Sequence, residues 1–256
     1  MVQNAKISKK ILSKAGKTNA EFNLIAEGDK IVVGLSGGKD SLTLVHLLKE
    51  QQRRAPFSFE FKAVTVTYGM GEDYTHLQEH CKEYGIPHEL YETNVYELAN
   101  EKIRKNSSYC SFFSRMRRGS LYSAAQKFGC NKVALGHHLD DAAESFFMNF
   151  TYNGQLRSLA PKYTAGNGLE IIRPLIQLRE RQLRAFVEEN GFSAIGDEAC
   201  PAMRFDIKAP HARQSAKELL AKLEEEHPQL FVSLNAAFKN ISYGSFFEIN
   251  KEEEND

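Results

Sequence analysis

Lys30-Ile-Val-Val-Gly-Leu35 runs straight into Ser36-Gly37-Gly38-Lys39-Asp40-Ser41, and Leu42 to Leu48 follows at helical spacing. A short β-branched apolar run, a glycine turn and a helix in immediate succession specify a strand buried on both faces that feeds a helix. The unit recurs along the chain. Phe61-Lys-Ala-Val-Thr-Val-Thr67 ends at Gly69 and Gly71, and Asp73 to Tyr84 then reads as a helix with Gly85 and Pro87 past its end. A short strand is expected at His88 to Tyr91, a helix at Arg115 to Phe128 before Gly129, a strand from Lys132 and a helix from Asp140 to Phe150. Beyond the Gly-rich connection Ala165-Gly-Asn-Gly-Leu, the spacing predicts a strand near Ile171-Ile172 and helices over Glu180 to Glu189, Ala212 to Glu225 and Gln229 to Ile241. Such alternation implies an α/β fold with an open, mostly parallel, doubly wound sheet, helices on both faces and C-terminal helices added to it. The expected organisation is a basic helical segment over 1–27, a nucleotide-binding domain over 28–200, C-terminal helices over 201–245 on the same domain and an acidic tail over 246–256.

In a parallel sheet of this kind the turn after a strand is where ligands bind, and the helix behind it presents free N–H groups to an anion. Two glycines before a helix are by themselves only a turn. Here Ser36 and Ser41 add hydroxyl donors, Lys39 adds a cation, and Asp40 can hold Mg2+ directly or through water. The lysine is followed by aspartate and the spacing from Gly34 is wrong for a Walker loop, so this is a phosphate cradle of another type. Gly136-His137-His138-Leu-Asp140-Asp141 ends a second predicted strand and should face the same cleft, with Asp141 as a further Mg2+ ligand. The plainer reading has Asp140 capping the next helix and His137 hydrogen-bonded in the core.

The Ser36 to Ser41 segment resembles the pyrophosphatase loop of the N-type ATP pyrophosphatases, enzymes that adenylate a substrate oxygen and release pyrophosphate. Cys110-Ser-Phe-Phe-Ser-Arg-Met-Arg-Arg-Gly119 and Gly136-His-His-Leu-Asp-Asp141 are similar to blocks of the tRNA 2-thiocytidine synthetases within that group. With the weaker match at Ile172-Arg-Pro-Leu, the likeness spans roughly 28–241. It implies ATP and Mg2+ bound by Ser36, Gly37, Gly38, Lys39, Asp40, Ser41, Gly136 and His137. The implied partners are a tRNA and a sulfur donor, either a cysteine desulfurase or free sulfide, and the likeness admits a homodimer. It also implies a 4Fe-4S cluster held by two cysteines of a Cys-x-x-Cys block and one later cysteine. Cys110 and Cys200 match the first and last of these, but Phe113 stands at the second and Asp197 at the start of the later block. Phenylalanine cannot ligate iron.

Three routes therefore stay open at this point: a third ligand among Cys81, Cys130 and Asp197, a persulfide relay between Cys110 and Cys200, or loss of sulfur transfer. Neighbouring Arg115 and Arg117 favour a thiolate at Cys110, which suits the relay. A lysidine synthetase-like adenylating enzyme and a non-catalytic RNA-binding or redox-sensing module are the rival readings.

Thirty-three basic residues balance thirty-three acidic ones, so any RNA surface must come from local clusters. The candidates are Arg115, Arg117 and Arg118, with the lysines Lys6 to Lys17, Arg204, Lys208 and Arg213 as outlying members. No run reaches the roughly 18 apolar residues of a membrane span, and the lysine-rich start leads into no apolar stretch, so a cytoplasmic location is expected.

Overall fold

The computed structural model describes residues 2–97, 109–195 and 211–246. Ser8 caps the first helix, α1 (Lys9–Phe22), whose Ile11 and Ala15 pack into the main core. The chain then runs β1 (Lys30–Gly34), α2 (Lys39–Arg54), β2 (Glu60–Val66), α3 (Thr75–Glu83), β3 (His88–Tyr91), α4 (Tyr109–Lys127), β4 (Lys132–Ala134) and α5 (Leu139–Tyr152). It continues with β5 (Lys162–Thr164), β6 (Glu170–Ile172), α6 (Glu180–Glu189), α7 (His211–Glu226) and α8 (Leu230–Ala237).

The six strands lie in the order β3-β2-β1-β4-β6-β5. All pairings are parallel except β5 with β6, so the doubly wound sheet anticipated from the alternation carries one antiparallel edge. Strand periodicity sorts the core into two layers. Ile31 and Val33 of β1 face a cluster with Leu42, Leu44, Leu47, Leu48 and Phe186, contributed by α2 and α6. Val32 points the other way, where Leu121, Ala124 and Ala125 of α4 cover Val64, Val133 and Ile171. A smaller cluster, Leu139, Ala143, Leu220 and Phe231, seats α7 and α8 on α5.

Three expectations are corrected. Residues 162–164 form a strand, which the Gly-rich connection beside them concealed. Helix α4 begins at Tyr109 rather than Arg115, because Phe113 and Phe112 supply an apolar side to the extra turn. The last helix stops at Ala237, short of Ile241.

Candidate active site

Strands β2 and β3 extend the sheet to one side of β1, whereas β4, β6 and β5 extend it to the other, so the winding reverses between β1 and β4. A crevice opens at the carboxyl ends of two strands that part in this way. The Ser36 loop leaves β1 there, and Gly136-His137-His138 leaves β4.

The loop is tied by its own serines. Ser41 Oγ donates to the Gly38 carbonyl (2.9 Å) and accepts the Ser36 N–H (3.2 Å), and the two hydroxyls lie 3.2 Å apart. Gly38 caps α2 with no side-chain acceptor, which leaves the first-turn N–H groups of the helix for an anion. Gly37 sits at φ +84°, and a Cβ there would lie 2.5 Å from Ile195 Cδ1. The Ile195 N–H donates to the Gly37 carbonyl (2.9 Å), so the chain closes over the loop just before the segment that bears Cys200. Gly136 fits equally closely. A Cβ on it would come within 3.2–3.3 Å of the Asp40 carbonyl and the Ser41 nitrogen, so the β4 turn lies against the first turn of α2.

Charge in the crevice is arranged around His138, which is buried. Its Nε2 lies 3.4 Å from Asp141 Oδ2 and 3.7 Å from Asp40 Oδ1, and its Nδ1 lies 3.5 Å from Asp140 Oδ2. Burial opposes a charge on this ring, but the three carboxylates outweigh it and hold its pKa above the ordinary histidine value. His138 also caps α5, with the Asp141 N–H 3.4 Å from Nδ1 and the Asp141 carboxylate accepting the His138 N–H at 3.0 Å. The amide contact is long, and it gives way when the ring is protonated.

Asp140 serves the neighbouring helix, accepting the Glu180 N–H (2.7 Å) and Arg179 Nε–H (3.1 Å). Its carboxyl is pushed up by burial and drawn further down by His138, the Glu180 N–H and Arg179. Asp141 is joined to Arg213 (2.6 Å), which also holds Glu144 (2.8 Å). Lys39 reaches Glu180 (3.1 Å) and Asp40 (3.5 Å), carboxylates that overcome its burial and keep it charged. Asp40 is the exception. Its Oδ1 is buried with no hydrogen-bond donor, and burial pushes its carboxyl up by more than His138 and Lys39 pull it down. An orphaned buried carboxylate oxygen beside a phosphate cradle is what a divalent cation would satisfy, so Asp40 suits Mg2+, and Asp141 would join it by giving up Arg213.

His137 lies beside this group, with Nδ1 accepting from Arg173 Nε at 3.2 Å. Arg115, Arg117 and Arg118 are exposed on α4, and the charges of Arg117 and Arg118 are felt at His137. Cys110 is located in the first turn of α4 by its backbone, whereas Cys200, Asp197, Arg204 and Lys208 lie outside the described residues. Phe113 is buried against Tyr68, edge to face with ring centroids 5.9 Å apart. Cys81 is buried in the main core, where desolvation pushes its thiol up to about 12, and Cys130 sits at the opposite end of β4 from the crevice. Among the described residues, therefore, neither free cysteine replaces the missing thiolate. Phe113 leaves the Cys-x-x-Cys half of the ligand set implied by the family likeness one thiolate short, and the later half lies outside the described residues. Sequence reasoning gave no role to Glu180, Glu144 or Arg179, although each opens or lines a helix next to a strand end.

The PP-loop domain family matches residues 6–209. The chain belongs to the PP-loop family. Within it, a tRNA-cytidine(32) 2-sulfurtransferase from Geobacter metallireducens is 43% identical over 235 residues, covering 91% of this chain and 90% of that one. One from Syntrophotalea carbinolica is 42% identical over 238 residues, covering 92% and 90%. Among solved structures, the U34-tRNA thiolase NcsA from Methanococcus maripaludis with its [4Fe-4S] cluster superposes with a TM-score of 0.74 at 25% identity, over 97% of this chain and 83% of that one. Likeness to the NMN synthetase from Francisella tularensis (TM-score 0.53, 18% identity, 96% of this chain and 100% of that one) extends to the fold alone. The Ser36 to Ser41 turn lies within the residues matched, and no described helix is long and apolar enough to cross a membrane.

Proposed function

We propose that this PP-loop protein uses ATP to activate the C2 oxygen of cytidine 32 in a tRNA and replaces that oxygen with sulfur. The observation that carries the reading is the meeting of the PP-loop with the Gly136 to Asp141 turn at the reversal of the sheet, in a chain more than 40% identical to 2-sulfurtransferases over nine-tenths of its length. The loop N–H groups, Ser36, Ser41 and Lys39 bind the β- and γ-phosphates. Asp40 and Asp141 would hold Mg2+, which would supply positive charge against the polyphosphate as pyrophosphate departs. The C2 oxygen forms a bond to the α-phosphorus, the bond to the bridging oxygen breaks, and its electron pair leaves with pyrophosphate. Adenylation makes a poor leaving group into AMP.

Sulfur arrives through Cys110 and Cys200. One of them carries a persulfide, its outer sulfur taken as sulfane sulfur from the persulfide of a cysteine desulfurase, whose own cysteine leaves as the thiol, and its terminal sulfur attacks C2 as AMP leaves. The thiolate of the other then attacks the first cysteine's Sγ. This frees the new C2 sulfur and closes a disulfide that a dithiol reductant reopens. Exposed Arg115, Arg117 and Arg118 beside the crevice hold the anticodon loop by its phosphates, and the enzyme acts where tRNA is found, in the cytoplasm. Whether it works as a homodimer is read from its mass in solution.

The test combines two measurements on purified protein with ATP, Mg2+, unmodified tRNA, a persulfide donor and a dithiol. Wild type should release AMP and pyrophosphate in a tRNA-dependent way and yield 2-thiocytidine at position 32 by nucleoside mass spectrometry. Cys110→Ala and Cys200→Ala should keep the AMP release and lose the thionucleoside, and Asp141→Ala should lose both. An Asp141→Ala variant that forms AMP at the wild-type rate removes the metal role. A wild type that forms AMP but transfers no sulfur leaves an adenylating enzyme of another kind.

A further inference from the structure

Arg173 is a buried arginine at the carboxyl end of β6, 36 residues from the histidine it touches. Its guanidinium is held by a carbonyl and an aromatic ring. Nη1 donates to the Ala160 carbonyl, the plane lies over the Tyr163 ring at 5.2 Å from the centroid, and Tyr163 is in turn bonded to the Tyr122 hydroxyl (3.1 Å). From this seat Nε–H points at His137 Nδ1 (3.2 Å). A guanidinium Nε is always a donor, so the Nδ1 it meets must offer a lone pair. Of the three protonation states of imidazole, only the neutral form with its hydrogen on Nε2 meets that requirement.

The charges around His137 come from three directions: Arg173 behind it, Arg117 and Arg118 on α4, and Asp141 on α5. Burial and the three arginines outweigh the aspartate and press its pKa down to about 4, in accord with a ring that stays neutral. Its neighbour Gly136 lies against the Asp40 carbonyl and the Ser41 nitrogen, and the charge of Asp141 reaches the His137 ring, so His137 stands at the edge of the crevice. A neutral N–H held there cannot take a proton at Nε2. It can only give a hydrogen bond.

We propose that Arg173 is a positioning residue for the adenylation step: it holds His137 as the Nε2–H tautomer, and that N–H donates to the α-phosphoryl oxygens as charge builds on them. The inference rests on the adenylation reading above, and it makes His137 an electrostatic donor where a histidine in such a site invites the role of general base. Arg173 itself touches no reactant.

Two measurements on the full chain test it. The first is the tautomer, read from the nitrogen shifts of the imidazole signal that disappears in His137→Gln. The wild type should show Nδ1 unprotonated and Nε2 protonated from pH 6 to 8, and Arg173→Gln should show a mixture of tautomers that gains protons as the pH falls. The second is tRNA-dependent AMP release. His137→Ala should lose about 100-fold, the usual cost of removing one oxyanion donor, whereas His137→Gln, whose amide can still donate, should stay within about tenfold of wild type. Arg173→Gln should lose about tenfold at pH 8 and more at pH 6, an acid-side fall that a merely structural role would not produce. The idea is overturned by a protonated Nδ1 in the wild type, or by equal losses in His137→Ala and His137→Gln. If Arg173→Gln fails to fold by circular dichroism, the wild-type spectrum and the two His137 variants still decide. A wild type that releases no AMP with any tRNA fails the adenylation reading and the donor role with it, while the tautomer lock is still judged by the spectrum.

Discussion

At the amino end of β4, Lys132 is buried between Asp29 (2.7 Å) and Glu170 (3.0 Å) and also donates to the Leu24 carbonyl (3.0 Å). At the carboxyl end of β1, one strand away, Asp40 is half-buried, with its Oδ1 shut from water, yet that oxygen has no donor and His138 stands 3.7 Å off. The two ends of one sheet thus hold comparable charge in opposite conditions. Asp29 accepts from Lys132, Asn131 and the Ala26 N–H, and its carboxyl lies below the usual range although burial alone would raise it. Asp40 lies above that range. A structural ion group closes on itself; a group kept for a ligand leaves a valence open.

The sharpest way to break that comparison is to damage each end and ask which property fails. Lys132→Met leaves Asp29 buried and unpaired, and should cost about 4 kcal/mol of folding stability while sparing AMP release per folded molecule. Asp40→Asn should do the reverse, cutting AMP release by about 1,000-fold, roughly 4 kcal/mol of transition-state stabilisation, with Tm unchanged or raised. Denaturant titration beside an AMP assay checks both. Loss of stability in Asp40→Asn equal to that in Lys132→Met would show that Asp40 is structural too.

Phe113 extends the contrast to the thiol end of the site. It stands at the second cysteine position of the block it resembles, and it is core, packed on Tyr68 with Val95 beside it. Phe113→Cys should cost about 3 kcal/mol, because a small side chain leaves most of the ring's volume empty. The same variant should bind more iron and acid-labile sulfide than wild type on anaerobic reconstitution. Equal iron in both proteins would mean that position 113 does not decide the matter.

How far these features could be read from the sequence depends on how local their causes are. The Ser36 loop was legible because a β-branched run, two glycines and a helix are adjacent in the chain, and the same holds for most strands and helices. The β5 strand was not, since Lys162-Tyr-Thr is three residues long and draws its order from pairing with β6. Phe113 could be recognised as a missing ligand, but its burial under Tyr68 depends on β2 and α4 meeting. Arg173 and His137, or Lys39 and Glu180, are far apart in sequence; the pairing of β4 with β6 brings the first two to hydrogen-bond distance, and the packing of α2 on α6 the second. Arg213 was noted as a surface cation for RNA, whereas the fold ties it to Asp141 and Glu144.

A smaller effect is expected at Gly136, where the loop and the β4 turn touch. Gly136→Ala places a methyl carbon 3.2–3.3 Å from backbone atoms of Asp40 and Ser41, which cannot rotate away as a side chain can. The turn must shift from the loop at a cost of about 2 kcal/mol. That should appear as a loss of about 30-fold in kcat/KM for ATP with only a modest change in Tm. A variant with wild-type kinetics would show that the two turns need not touch for adenylation.

The smallest effect is a dependence on pH that differs in sign between the two ends. Asp29 and Glu170 have lowered pKa values in the folded protein, so their contribution is complete above about pH 5, clear of the unfolded carboxylate values, and is lost as the pH falls through the folded ones. Asp40 has a raised value, so its ionised form weakens the fold at neutral pH and acid relieves it. Asp29→Asn should therefore be less stable than wild type at pH 7, by about 1.5 kcal/mol, and the gap should close towards pH 3. Asp40→Asn should be the more stable protein at pH 7, with a gap that also closes in acid but from the other side. Thermal unfolding at several pH values measures both. A constant deficit in Asp29→Asn down to pH 3 would assign its role to hydrogen-bond geometry, with charge contributing nothing.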